Sequence, residues 1–230
     1  MKSQDEWMSI SDMMSGLMLI FMFISISFMI QVQADKEKIE NIAVAYFKDK
    51  KDLNIDLNRE FKKDLKRWGA EITADNTVIF NSPNVLFESG KSTIKRDFKE
   101  ILNDFFPRYI NILFSDKYRD KIDEIRIEGH TSNSWKGSNS PNIIYLKNMQ
   151  LSQNRANSVL SYCYSLNNTT INRAREWLET KLRANGMAFA KLKYRDINKS
   201  VVDEMKSRRV EFRVDLKTED KIYKILKVSK

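Results

Sequence analysis

Two hydrophobic patterns dominate the first third of the chain. From Met13 to Ile30 there are 18 consecutive residues without a charge, mostly Met, Leu, Ile and Phe. That length crosses the hydrocarbon of a bilayer as one helix. After Gln33 the chain turns charged, and from Asp35 to Trp68 it contains neither Gly nor Pro. Ile39, Ile42 and Tyr46, then Leu53, Leu57, Phe61, Leu65 and Trp68, recur there at steps of three, four and seven, the spacing of an amphipathic helix. Such a stripe either lies on its own domain or pairs with the same stripe of a second copy. Because it follows a single membrane helix directly, pairing, and hence a homodimer, is the expectation.

From about Ile72 the period shortens. Thr77–Phe80 and Val85–Phe87 read as strands around the turn Asn81-Ser82-Pro83-Asn84. A helix follows, with Ile94, Phe98, Ile101, Leu102 and Phe105 on one face and Pro107 marking its end. Glu124–Gly129 alternates as a strand, and Thr131–Asn142 is a polar loop. A second helix carries Leu146, Leu151, Val159 and Leu160, a third spans Ile171–Leu182, and Arg209–Leu216 is a closing alternating strand. Mixed strands and helices predict an α+β layer with helices over one face of a mixed sheet. The expected domains are a tip and transmembrane helix over 1–34, a helical stalk over 35–72, the α+β domain over 73–217 and a basic tail over 218–230.

Composition sharpens this picture. Apolar residues at 42% and aromatic ones at 11% are too many for a disordered chain, while 31% charged residues exclude a polytopic membrane protein. Residues 1–35 carry a net −3 against +9 for the whole, so the remainder is strongly basic. Its bases are scattered among acids rather than interleaved with aromatics on one face, and we expect no direct nucleic-acid binding. One cysteine, Cys163, excludes an intrachain disulfide, and with one histidine, His130, no protein-built metal site is expected. No phosphate-binding glycine loop, nucleophile elbow or paired catalytic carboxylates are present, so no enzyme and no cofactor are expected.

Asp12 stands one residue before the uncharged run. At 100° per residue, Ser15, Gly16, Leu19 and Phe23 share its face, and small residues there suit close packing against other helices. An ionised carboxylate at mid-bilayer costs roughly 2.5–3.5 kcal/mol and less near the edge. Position alone leaves two readings open: a carboxyl that gains and loses a proton, or a solvated helix cap. The pattern Trp7-x-Ser9-x-x-Asp12-Met13-Met14-Ser15-Gly16-Leu17-Met18-x-x-Phe21 resembles MotB-type stator subunits, in which this aspartate carries the driving ion. The resemblance implies that Asp12 carries H+, with Na+ the other candidate, and that Ser15 and Gly16 neighbour the ion path.

The later segments resemble the OmpA C-terminal-like peptidoglycan-binding family over about residues 75–216. The matching pieces are Leu86-Phe87-Glu88-Ser89-Gly90, then Ile127-Glu128-Gly129-His130-Thr131, then Asn148-x-x-Leu151-Ser152-x-x-Arg155-Ala156-x-x-Val159-x-x-Tyr162, and finally Arg208-Arg209-Val210-Glu211-Phe212. The resemblance implies an OmpA-C-like fold that binds diaminopimelate carboxylates, with Arg155 gripping a carboxylate through its planar fork. Thr131, Ser132, Asn148, Leu151 and Arg208 complete the implied peptidoglycan site. Ser132 departs from the family, which has an aspartate there to pair with the ligand's ammonium; Ser207 likewise replaces an asparagine. His130 is expected to hydrogen-bond the loop at its strand end, and one of Arg208 and Arg209 to face the ligand side.

Only six residues precede Trp7, and the run Ser11-Asp12-Met13-Met14-Ser15-Gly16-Leu17-Met18 is similar to the B subunits of Zorya anti-phage defence complexes more than to flagellar stators. The resemblance implies a proton-driven motor subunit in which two copies sit inside a ring of a polytopic MotA-like partner. It also implies a single pass through the bacterial inner membrane, with the amino terminus cytoplasmic and the wall-binding domain periplasmic. A flagellar-type stator or a passive envelope anchor are the alternatives.

Overall fold

The computed structural model describes residues 2–81 and 83–217. The basic tail expected over 218–230 lies outside the described residues, and so do the side chains of Trp7 and Ser9. Residues 2–45 and 46–217 belong to two separate compact units.

The first unit is the leading part of helix α1 (Lys2–Trp68). Met13, Leu17, Phe21, Phe28 and Ile30 are all exposed around its whole circumference. A helix that is apolar on every side and unburied is long and apolar enough to cross a membrane.

In the second unit the final turns of α1 lead into β1 (Ala70–Ile72) and β2 (Val78–Phe80). A one-turn helix α2 (Pro83–Leu86) and helix α3 (Arg96–Leu113) follow, then β3 (Ile122–Gly129) and helix α4 (Pro141–Tyr164). Helix α5 (Thr169–Lys181) passes straight into β4 (Leu182–Gly186), and a one-turn α6 (Glu204–Ser207) precedes β5 (Val210–Leu216). The sheet order is β1-β2-β5-β3-β4, antiparallel except for the parallel pair β3/β4.

Alternation decides which face is covered. Ile125 and Ile127 of β3 sit opposite Val214 and Phe212 of β5, and all four are buried under the helices. On the other face the register sets Glu128 against Glu211 and Arg126 against Arg213, with Arg126 also bound to Asp215. The core is aromatic: Phe105 lies 5.0 Å from Phe212, 5.1 Å from Phe80 and 5.2 Å from Phe61 between ring centroids. Burying each such ring contributes roughly 1.5–3 kcal/mol.

Four expectations are corrected. The stripe Leu53, Leu57, Phe61 and Trp68 is buried within this unit, so that part of the presumed pairing surface is consumed by its own domain. Arg108 reinforces the arrangement, its guanidinium 5.0 Å over Phe61 and bonded to Glu60, Asp64 and Asp104. Residues 85–87 are no strand: Val85 and Leu86 lie in α2, and Phe87 makes an isolated bridge to Ile94. Pro107 does not end α3. Burial of Tyr109, Ile110 and Leu113 beyond it outweighs the lost N–H bond. Leu182 opens β4 rather than closing a helix.

Two glycines fix the seat of α4. A Cβ on Gly129 would overlap the Ser152 carbonyl, and one on Gly186 would come within 2.6 Å of the Gln153 nitrogen. The helix backbone therefore rests directly on the ends of β3 and β4.

Candidate functional site

Because α4 sits so close to the sheet, Arg155, in its middle, is carried beside the chain that enters β5. Leu86, Phe87, Glu88, Ser89, Arg155, Arg208 and Arg209 line a pocket of about 50 Å³ there. Three arginines contribute to its lining, and the charge of Arg208 acts on Arg155. Arg155 is 8% exposed. Its Nε donates to the Lys91 carbonyl at 2.9 Å and its Nη2 to the Glu88 carbonyl at 3.3 Å, and the group lies 4.9 Å over the Phe87 ring. Burial, with the Arg208 charge adding to it, lowers the Arg155 pKa to about 10. The bonded carbonyls are neutral, so the cation has no counter-charge among the described residues, and an anion entering the pocket would relieve that.

Arg209 is different. It is 3% exposed, with Nε 2.6 Å from Glu211 Oε1 and Nη1 3.1 Å from the Ser207 carbonyl. Arg208 is half-buried and donates through Nε to the Glu204 carbonyl at 3.2 Å. Both residues line the pocket, but the Arg209 guanidinium is turned to Glu211, on the sheet face opposite the helices, and Arg208 is the one whose charge acts on Arg155.

Of the other predicted binding residues, Thr131, Ser132 and Asn148 form a polar rim on the loop that follows β3. The His130 backbone N–H donates to the Arg209 carbonyl at 3.0 Å, which places the loop that follows beside the arginines. Thr131 is buried and its Oγ1 has no hydrogen-bond partner among the described residues. Ser132 Oγ lies 3.4 Å from Ser134 Oγ, which in turn donates to Glu204 Oε1 at 3.2 Å. Asn148 donates its amide to the carbonyls of Ser134 and Ile144, so it braces the loop. Leu151 is half-buried and does not line the pocket. Phe87 and Glu88 were not singled out from sequence as binding residues. The signal for Phe87 was its fixed place in the Leu-Phe-x-x-Gly motif; nothing in the sequence places it under a guanidinium.

His130 corrects an expectation. Its ring does not bond the loop: it is 1% exposed, with Nε2 3.5 Å from Glu128 and 3.6 Å from Glu211. Neither ring nitrogen has a directed hydrogen bond among the described residues. Ligand-type atoms of Glu128, His130 and Glu211 lie within 4.8 Å of one another, a spacing a metal ion could bridge. The carboxylates are, however, already matched by Arg209 on Glu211 and by Lys191 3.4 Å from Glu128. Burial acts to raise Glu211, but His130 and Arg209 more than offset it and hold its pKa at about 2.

A carboxylate with a depressed folded pKa stabilises the fold fully above its unfolded pKa and stops doing so as pH falls through the folded one. For Glu211 that window runs from about 4.5 down to about 2. Thermal melts taken from neutral pH downwards should therefore lose Tm inside it, and Glu211→Gln should flatten the slope. Parallel curves for the two proteins would contradict the assignment.

In the first unit Asp12, Ser15 and Gly16 share a helix face, and beyond the helix's own backbone no described residue comes within 4 Å of where a Gly16 Cβ would be.

The sequence model of the OmpA family matches residues 86–196. The chain is 44% identical to the Zorya protein ZorB of Escherichia coli over 228 residues, 98% of this chain and 94% of that protein. Among solved structures it is similar to a putative MotB-like protein from Desulfovibrio vulgaris, at 18% identity and a TM-score of 0.48, covering 74% of this chain and 95% of that one. It is also similar to the cell wall anchor of the T6SS from Pseudomonas aeruginosa, at 20% identity and a TM-score of 0.46, covering 70% and 97%.

Proposed function

Given that the chain belongs to the family of the Zorya protein ZorB, with an OmpA-family domain, we propose that it is the wall-anchored, ion-carrying subunit of a proton-driven motor in anti-phage defence. Asp12 carries the proton past Ser15 and Gly16, inside a ring of a MotA-like polytopic partner that holds two copies of this chain. The amino terminus is cytoplasmic, α1 crosses the inner membrane, and the α+β domain lies in the periplasm. There Arg155 and Arg208 hold a diaminopimelate carboxylate of peptidoglycan, with Thr131, Ser132 and Asn148 on the neighbouring loop side of the ligand.

The observation that carries the reading is the pocket lined by three arginines, one of them buried over an aromatic ring with no counter-anion among the described residues, on the same chain as an acid at the head of a bare apolar helix. A part fixed to the wall cannot turn, so proton passage would act on what surrounds it. Co-sedimentation of the full chain, in detergent, with purified sacculi tests the anchoring half. Retention is expected, and a chain that stays in the supernatant would remove it.

A further inference from the structure

The binding reading accounts for a carboxylate but leaves the neighbouring ammonium of the same amino-acid head without an acceptor, because Ser132 is neutral. We infer that Glu204 receives that ammonium; the inference rests on the peptidoglycan reading of the pocket.

The carboxylates of the pocket wall and of the segments beside it are separated by their existing partners. Glu88 lines the pocket but is ion-paired with Lys91. Glu211 is bound by Arg209, and Glu128 is buried against His130 and Lys191. Glu204 has no cation partner among the described residues. It is exposed at the first turn of α6, one turn ahead of the pocket residue Arg208, whose Nε bonds the Glu204 main-chain carbonyl. Its Oε1 accepts from Ser134 Oγ, and that hydroxyl is 3.4 Å from Ser132 Oγ. The carboxylate is thus held by the loop at the position where an acid is missing from the sequence pattern, displaced onto another segment. A zwitterionic head with its carboxylate on Arg155 and Arg208 would direct its ammonium toward this oxygen-rich rim of Ser132, Ser134 and Glu204. The same arrangement would disfavour a ligand whose amine is blocked.

The probe is N-acetylmuramyl-L-alanyl-γ-D-glutamyl-meso-diaminopimelate, whose only free amine is on the diaminopimelate, compared with the same compound acetylated at that amine. Titrated into the full chain, the free amine form is expected to bind about tenfold tighter, the scale of one charge-assisted contact. Glu204→Gln should erase the difference while leaving the acetylated ligand's affinity unchanged, and adding Ser132→Asp to that variant should restore it. Discrimination that survives in Glu204→Gln, or is absent from the wild type, overturns the inference alone. A wild type that binds neither compound overturns the peptidoglycan reading and this inference with it.

Discussion

Replacing Asp12 by Asn should reduce phage protection, in cells carrying the complete defence system, to the level of cells lacking this chain. The substitution preserves side-chain size and suits the hydrocarbon better than the acid does, so α1 still inserts. What it removes is the exchangeable proton, since an amide cannot alternate between a neutral and an anionic form. Because Asp12 belongs to the unit formed by residues 2–45, the unfolding of the α+β domain and its retention by sacculi should be unchanged. That pattern separates a dead motor from a misfolded one. Plaquing efficiency is the readout, supported by proton uptake into vesicles holding this chain and its membrane partner. Full protection by Asp12→Asn would leave the acid as no more than a helix cap and the protein as a passive envelope anchor.

The second large effect is expected at the other end of the chain. Arg155→Ala should weaken retention by sacculi about 10- to 100-fold, which corresponds to one charged hydrogen-bonded contact of about 1.5–3 kcal/mol. The side chain also braces the carbonyls of Glu88 and Lys91, so truncation alone could disturb the pocket wall. Arg155→Lys removes that ambiguity: it keeps the charge and most of the stem but loses the fork that meets a carboxylate with two parallel bonds. Lys is therefore expected to fall between wild type and Ala, with melting curves close to wild type. Undiminished retention by both variants would place the binding site elsewhere.

Elements with strong periodicity were legible before any coordinates. The alternation in Glu124–Gly129 and Arg209–Leu216 marks the two central strands because one of their faces is packed against helices and the other carries paired charges. The uncharged run 13–30 is equally plain. β4 was not, since Leu182-Arg183-Ala184-Asn185-Gly186 offers one large apolar residue and no alternation. Its place is set by parallel pairing with β3 and by the close approach of α4 to Gly186, which are long-range facts. Pro107 misled for a related reason, as a local breaker overruled by tertiary burial. The amphipathic stripe of α1 announced that a partner existed but not which, because a stripe bears the same spacing whether it meets its own domain or a second copy. At the site, Arg155 stood out through its motif. The charge balance of Glu128, His130, Glu211 and Arg209 depends on strand register, and only the fold reveals it.

The position of β5 has a mechanical corollary. Arg208 and Arg209 enter the sheet through a strand that is third of five, bonded to β3 over seven register pairs and to β2 over three. Arg155 hangs from a different element and grips a third through the carbonyls after α2. A tug on a bound ligand would be shared among a long helix, a turn and an interior strand that must shear along both flanks. Neither edge strand supplies a residue to the pocket, so no margin of the sheet is offered for peeling.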